Sequence, residues 1–311
     1  MTTQAEVAND PNYIACLDHG FVGLVDHMGD DHAIDQAARV SYGLGTRSKS
    51  DTRALLRYLM RNRHTSPFEM GEIKFHLRMP IAVARQLIRH RTANLNEYSG
   101  RYSVLADEFY VPELDDILPQ SIINKQGRDG NFSKEKQQTV VATIKDAYKF
   151  SYDAYVSLLE ESVDEDNVII PGVAREIARM VLPVGVYTEL YWKMDLHNIF
   201  HLLGLRLDKH AQKETRVFAE AMYSLVKLLF PLASEAFEDY KLHAYTLSRM
   251  EVVFFKDLIR NASSLAGLSP RAIINVAMKV SGDSTIEDVM VKDYGMSKRE
   301  AREFLEHFLP K

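Results

Sequence analysis

Hydrophobic positions along this chain recur at helical spacing in some stretches and alternate with polar ones in others. Leu55, Leu56, Leu59 and Met60 fall on one stripe between Asp51 and Arg63, which predicts a helix with Asp51 capping its start. Another helix is predicted over Ala33 to Tyr42. From Glu72 to Arg78 the period drops to two, with Ile73, Phe75 and Leu77 on one face and Lys74, His76 and Arg78 on the other. That pattern predicts a half-exposed strand. Pro80 suits the first turn of the helix that follows, Ile81 to Arg89, because its missing N–H has no partner there anyway. Lys134 to Glu161 reads as a long amphipathic helix after a loop rich in Gly, Asn and Asp at Gly127 to Gly130. Val184 to Met194 alternates again, and Leu196 to Leu205 and Ala211 to Phe230 resume helical spacing. Strands and long helices mix without a regular βαβ repeat, so the expected fold is α+β, a mixed antiparallel sheet with long helices. Past Arg249 only short helical segments are predicted, one opened by Ser269-Pro270 and a charged last one from Ser297 to Phe308. The expected division is a main domain over residues 1–248 and a helical extension over 249–311.

Composition narrows the class. With 311 residues, 46% hydrophobic and 26% charged, the chain can bury roughly 75% of its unfolded surface, as globular proteins of this size do. The apolar run from Ser224 to Ala233 is broken by Lys227 and Pro231 and falls short of the ~20 residues a membrane helix needs. The opening residues MTTQAEVANDPNY lack a basic stretch and an apolar core, so a cytoplasmic protein is expected, with no membrane partner. One cysteine, Cys16, excludes an intramolecular disulfide and reads as a small buried hydrophobe. The net charge of −5 argues against a general nucleic-acid coat protein, although a local basic cluster can still grip phosphate.

Such a cluster lies in RHRTANLNEYSGRY, which holds Arg89, His90, Arg91, Asn94, Asn96, Glu97, Ser99, Arg101 and Tyr102. On a regular helix successive residues turn by about 100°, so Arg89 and Arg91 would point nearly opposite ways and serve different ligands or different sides of an interface. Ser99, Gly100 and Arg101 supply a hydroxyl, a backbone without Cβ and a fork of donors within three residues, a set suited to a phosphate monoester. The plain alternative is a solvated charged turn. A phosphate- or RNA-binding protein using the RHR run and nearby tyrosines also stays open on these residues alone, as does a bare subunit interface. His197 and His201 lie one helical turn apart, but no Glu follows the first and no third ligand accompanies them, so no metal site is read there. Trp192 and Tyr191 read as packing residues of a strand.

RHR followed by seven residues and Ser99 resembles the signature of the flavin-dependent thymidylate synthases, the ThyX family. His64-Thr65-Ser66-Pro67-Phe68-Glu69 and Arg85-Gln86 upstream resemble that family in order. Downstream, Arg179 to Pro183, Asp195 to His201, Leu205 to Asp208 and His210-Ala211-Gln212 do so too. The resemblance covers roughly Ala33 to Phe230. It implies reductive methylation of dUMP to dTMP, with methylenetetrahydrofolate as carbon donor, FAD reduced by NADPH as hydride donor, and a homotetramer whose sites are shared between chains. It implies FAD contacts from His64, Ser66, Glu69, Arg89, His90, Arg91, Glu97, Asp195, His197 and His201. It implies dUMP contacts from Gln86, Arg89, Ser99, Gly100, Arg101, Arg179 and Arg206, and no nucleic-acid partner. The chain departs from the family's usual Ser at Asn94 and from its usual Asn and Arg at Asp195 and His197. Cys16 lies far in sequence from every motif, so a thiolate attack on the pyrimidine has no support. Arg206 is the expected catalytic residue, a cation that stabilises negative charge as it develops on the ring; Ser99 is assigned to binding.

Overall fold

The structure, a computed structural model, describes residues 1–41, 51–122, 125–262 and 285–308. The helix predicted to open at Ser269-Pro270 and the end of the first predicted helix at Tyr42 lie outside the described residues. Strands β1 (Tyr13–Cys16), β2 (Gly20–Met28), β3 (Glu72–Pro80), β4 (Asn94–Glu97) and β7 (Tyr187–Asp195) form a five-stranded antiparallel sheet in the order β1-β2-β3-β7-β4. β5 (Ser162–Val163) and β6 (Ile169–Ile170) form a separate hairpin. The fold is α+β, as the mixed periodicities require.

Between the strands run α1 (Gln4–Val7), α2 (Asp31–Arg39), α3 (Thr52–Arg61), α4 (Ile81–Leu87), α5 (Lys134–Leu159), α6 (Arg175–Ala178), α7 (Leu196–Arg206), α8 (Lys213–Leu229) and α9 (Pro231–Phe237). Phe75 and Trp192 face each other across β3 and β7, and both are buried with Ile199 of α7 and Phe218, Met222 and Val226 of α8 in one core. Each such aromatic or aliphatic side chain contributes about 1.5 to 3 kcal/mol on burial. Asp51 caps α3 as predicted, its Oδ1 accepting from the Ala54 N–H at 2.6 Å. At the other end, the N–H groups of Arg63 and His64 donate to the carbonyls of Met60 (3.2 Å) and Leu59 (2.9 Å). This closes the helix with Arg63 in the left-handed region, at φ 60°.

The second face of β3 departs from the expected exposed face. His76 and Arg78 are buried, and only Lys74 keeps solvent beside Asp26. Burial of these polar groups demands partners, and both side chains have them, although Arg78 Nε is left without a hydrogen bond among the described residues. His76 Nε2 meets Glu189 Oε1 at 2.6 Å and Nδ1 meets the Tyr13 hydroxyl at 3.0 Å. Arg78 pairs with Glu108 and lies 5.6 Å from the Tyr187 ring centroid. Pro80 also sits differently, as the last residue of β3 and the extended N-cap of α4, one position before the expected first turn.

Two compact units divide the chain, Met1–His243 and Ala244–Lys311. In the second, α10 (Arg249–Ala262), α11 (Ile286–Tyr294) and α12 (Lys298–Phe308) gather Phe254, Met290, Met296, Ala301 and Phe304 into a small core of their own. No helix among the described residues is long and apolar enough to cross a membrane.

Candidate active site

α4 ends at Leu87, with the Ile88 N–H closing it on the Ala84 carbonyl at 2.9 Å. Arg89, His90 and Arg91 therefore lie in a turn beyond the helix, and the opposed directions expected of two helical arginines do not arise. Their fates divide another way: Arg89 and Arg91 are both exposed, while His90 between them is buried. The turn is pinned by the His90 N–H, which donates to the Leu87 carbonyl at 3.0 Å.

Buried, His90 meets Arg206, the last residue of α7. Arg206 Nε donates to His90 Nε2 at 3.1 Å and an Nη donates to the Gln86 carbonyl at 3.2 Å. The His90 ring lies 5.9 Å from that of His201. Burial, then the Arg206 charge and His201, push the His90 pKa down from 6.5 to about 4. His90 is thus neutral at pH 7, and because Nε2 accepts from Arg206 the remaining proton sits on Nδ1.

The Gln86 side chain is held at both ends. Its Oε1 accepts from Thr215 Oγ1 at 3.0 Å and its Nε2 donates to Gln212 Oε1. Gln212 in turn donates to Glu214 Oε2 at 2.8 Å. Glu214 is only 2% exposed and takes further hydrogen bonds from Arg128 and from the Tyr110 hydroxyl at 3.1 Å. Burial alone would raise its pKa, but the bonds from Arg128 and Gln212 outweigh it and hold the carboxyl below its usual range. Sequence reasoning missed Glu214 and Thr215. A signal existed, since both fall on the buried stripe of α8 with Phe218, Ala219 and Met222, and a polar pair on an apolar stripe marks an internal network.

His64, His197 and His201 come together. They line one cavity of about 250 Å³ whose walls include Phe68, Phe200 and Leu205. Ser66 faces the next cleft, about 710 Å³, which shares His64. Glu69 is exposed in the helical turn Phe68–Met70 and lines neither of these cavities. Asp195 is the N-cap of α7, its carboxylate accepting from the Asn198 N–H at 2.9 Å and the Asn198 side chain at 2.6 Å.

Another cavity, about 580 Å³, brings together Glu97, Ser99, Gly100, Arg179, Arg85 and Thr188. Thr188 Oγ1 donates to Glu97 Oε1 at 2.8 Å. A Cβ on Gly100 would stand 3.1 Å from Leu105 Cδ1 and 3.4 Å from Arg179 Cδ, so the bare backbone lets Arg179 lie against the loop. That loop is fastened to α5, because the Leu105 N–H donates to the Tyr155 hydroxyl and the Leu105 carbonyl accepts from the Tyr152 hydroxyl, each at 3.2 Å. Arg101 does not line this cavity: it is exposed, with Nε 3.3 Å from Glu176. Arg89 and Arg91 have no ion-pair partner among the described residues, and all four residues of the edge strand β4, including Asn94 and Glu97, are exposed.

Cys16 is buried on β1, 2% exposed, and burial pushes its thiol up to about 12. No thiolate is available there at neutral pH.

The family model described as thymidylate synthase complementing protein (Thy1) matches residues 23–232. A flavin-dependent thymidylate synthase of Ehrlichia ruminantium (strain Gardel) is 47% identical over 290 residues, 93% of this chain and 86% of that protein. One from Gluconobacter oxydans (strain 621H) is 51% identical over 232 residues, covering 75% of this chain and 74% of that one. Among solved structures, the UMP/dUMP methylase PolB from Streptomyces cacaoi, bound with 5-Br UMP, is similar with a TM-score of 0.63 and 37% identity, over 72% of this chain and 95% of that chain.

Proposed function

From the premise that the chain belongs to the flavin-dependent thymidylate synthase family, we propose that the knot of His90, Arg206 and Gln86 polarises the pyrimidine of dUMP. The reaction is reductive methylation of dUMP to dTMP, with methylenetetrahydrofolate as carbon donor and FAD, reduced by NADPH, as hydride donor. The observation that carries the assignment is Arg206 itself, a half-buried guanidinium fixed by His90 Nε2 and the Gln86 carbonyl. A cation held in place before the reaction stabilises an anionic ring without reorganising, the largest single contribution in many active sites. Neutral His90 supports this role, since a second positive charge beside Arg206 would repel it.

The residues fit a flavin. The 250 Å³ cavity offers apolar walls in Phe68, Phe200 and Leu205 and imidazoles from His64, His197 and His201, while Arg89 and Arg91, without ion-pair partners among the described residues, present cations suited to a diphosphate. FAD held by these residues would supply the hydride of the reductive methylation, and the folate ring would share the cavity. Ser99, Gly100 and Arg179 cradle the dUMP phosphate. Arg101 joins them by leaving Glu176, because an exposed ion pair of that kind holds it by no more than about 1 kcal/mol.

The active site is shared between chains of a homotetramer. Support comes from the division of residues within one chain: Ser99, Gly100 and Arg179 line one cavity with Glu97; His64, His197 and His201 line another; and two arginines of the signature face solvent. Visible absorbance of the purified protein, followed by NADPH oxidation with and without dUMP, tests the function. A yellow protein whose NADPH oxidation is accelerated by dUMP is expected. A colourless protein that takes up no flavin on reconstitution would sink it.

A further inference from the structure

A row of cations leaves the 250 Å³ cavity and continues along the outside of α3. Arg63 and Lys241 line the cavity beside His64. Arg53, Arg57 and Arg61 line a depression of about 320 Å³ with Tyr58 and Tyr240, which are chain neighbours of the cavity residues. Arg53 and Arg57 are already engaged, both with Glu235 and Arg57 also with Asp239 at 2.6 Å. Arg61, Arg63 and Lys241 have no ion-pair partner among the described residues. Two cations without an ion-pair partner among the described residues thus line the cavity, and a third lines the depression beside it.

The backbone adds an independent observation. Arg63 holds φ 60° at the close of α3, where glycine is the favoured residue and any other side chain costs backbone energy. Such an outlier points to work done by the side chain. Lys241 lies in the π-helical turn Glu238–Leu242, an irregularity that recurs at functional sites.

We propose that Arg63, Lys241 and Arg61 form a subsite for the acidic tail of the folate co-substrate, a γ-linked oligoglutamate that runs from the cavity onto the outer face of α3. The inference rests on the reading of that cavity as the flavin and folate site. Spacing favours it: the three cations are spread over two hollows lined by consecutive residues, Met60 and Lys241 on the cavity against Arg61 and Tyr240 on the depression, and a γ-linked glutamate repeat of five bonds carries its next carboxylate about 6 Å further on. One carboxylate per repeat can therefore meet successive cations. A flavin diphosphate would instead need its two phosphates gathered at one point.

The test uses the holoenzyme with saturating dUMP and NADPH, and compares the KM for methylenetetrahydrofolate carrying one glutamate with that for the form carrying three. An exposed ion pair is worth a factor of at most about 5, and the triglutamate adds two carboxylates to the repeat both forms share, so its KM should be about 10-fold lower. The gap should shrink as salt is raised. Arg61→Gln should cut it to about threefold while leaving the monoglutamate KM and the flavin absorbance unchanged. Arg63→Gly should also narrow it, with a melting temperature that holds or rises, because glycine accepts the left-handed backbone; a narrowed gap in that variant cannot be blamed on unfolding. Equal KM values for the two tail lengths in the unmodified enzyme would overturn the subsite while leaving the synthase reading intact. So would variants that lose flavin or weaken both folates alike, since the cations would then belong to the flavin phosphates. A preparation without flavin or dUMP-dependent turnover on either folate would fail earlier, at the functional reading itself.

Discussion

His90 and the arginines on either side of it are consecutive in the chain and opposite in circumstance. His90 is buried, accepts a hydrogen bond from Arg206 and anchors a network that runs through Gln86 and Gln212 to Glu214. Arg89 and Arg91 stand in solvent without ion-pair partners among the described residues. The inward region is held together within one chain, since Arg206, Gln86, Gln212 and Glu214 are joined by hydrogen bonds and His90 Nε2 is bonded to Arg206. The outward region is a set of donors waiting for acceptors, the state expected of residues that bind a ligand or a neighbouring chain. Substitutions inside should therefore strike turnover and stability, and substitutions on the rim should strike ligand affinity.

The largest effect is expected at Arg206. Arg206→Ala removes the cation that matters most when the ring is anionic, so steady-state turnover should fall by about 10² or more while the protein stays yellow. Loss of flavin with a normal rate per bound flavin would move Arg206 to the rim class. Next comes Arg101→Ala, measured as the KM for dUMP. One charged hydrogen bond is worth about 1.5 to 3 kcal/mol, so the KM should rise about 10- to 100-fold with flavin retained; an unchanged KM would leave Arg101 as a mere partner of Glu176.

A smaller effect tests the interior by pH. His90 has a folded pKa of about 4 against 6.5 for the free group, so the unfolded chain binds a proton that the folded one refuses. Its contribution is present above 6.5 and is lost as pH falls through that window towards about 4. Urea melts at pH 7.5 and 4.5 should show wild type losing about 1 to 2 kcal/mol more than His90→Gln; equal losses would mean the imidazole is not desolvated. The smallest effect belongs to Cys16→Ala. Dropping a buried sulfur should cost about 1 kcal/mol in the same melts, with dTMP formation nearly intact. A folded, yellow and inactive Cys16→Ala protein would return the thiolate to the mechanism.

Much of this was legible in the sequence. The stripe of Leu56, Leu59 and Met60 and the alternation of Ile73, Phe75 and Leu77 placed a helix and a strand where they occur, because period reports which face is buried whatever the partner. The RHR run, Ser99 and the His64 motif pointed to the family because binding residues sit on short segments that recur intact. Burial of a polar side chain is different: it depends on a partner that arrives from elsewhere in the chain. Period-two alternation assigned His76 and Arg78 to solvent, and Glu189 and Glu108, 113 and 30 residues away, carried them inside. The end of α4 at Leu87, and with it the inward turn of His90, was settled by Arg206 from 116 residues further on. Local pattern determined the elements and the identity of the chemistry. Only the tertiary structure decided which charges are satisfied and which remain open for ligands, because hydrogen bonds and desolvation are fixed by proximity in space, which a linear pattern does not contain.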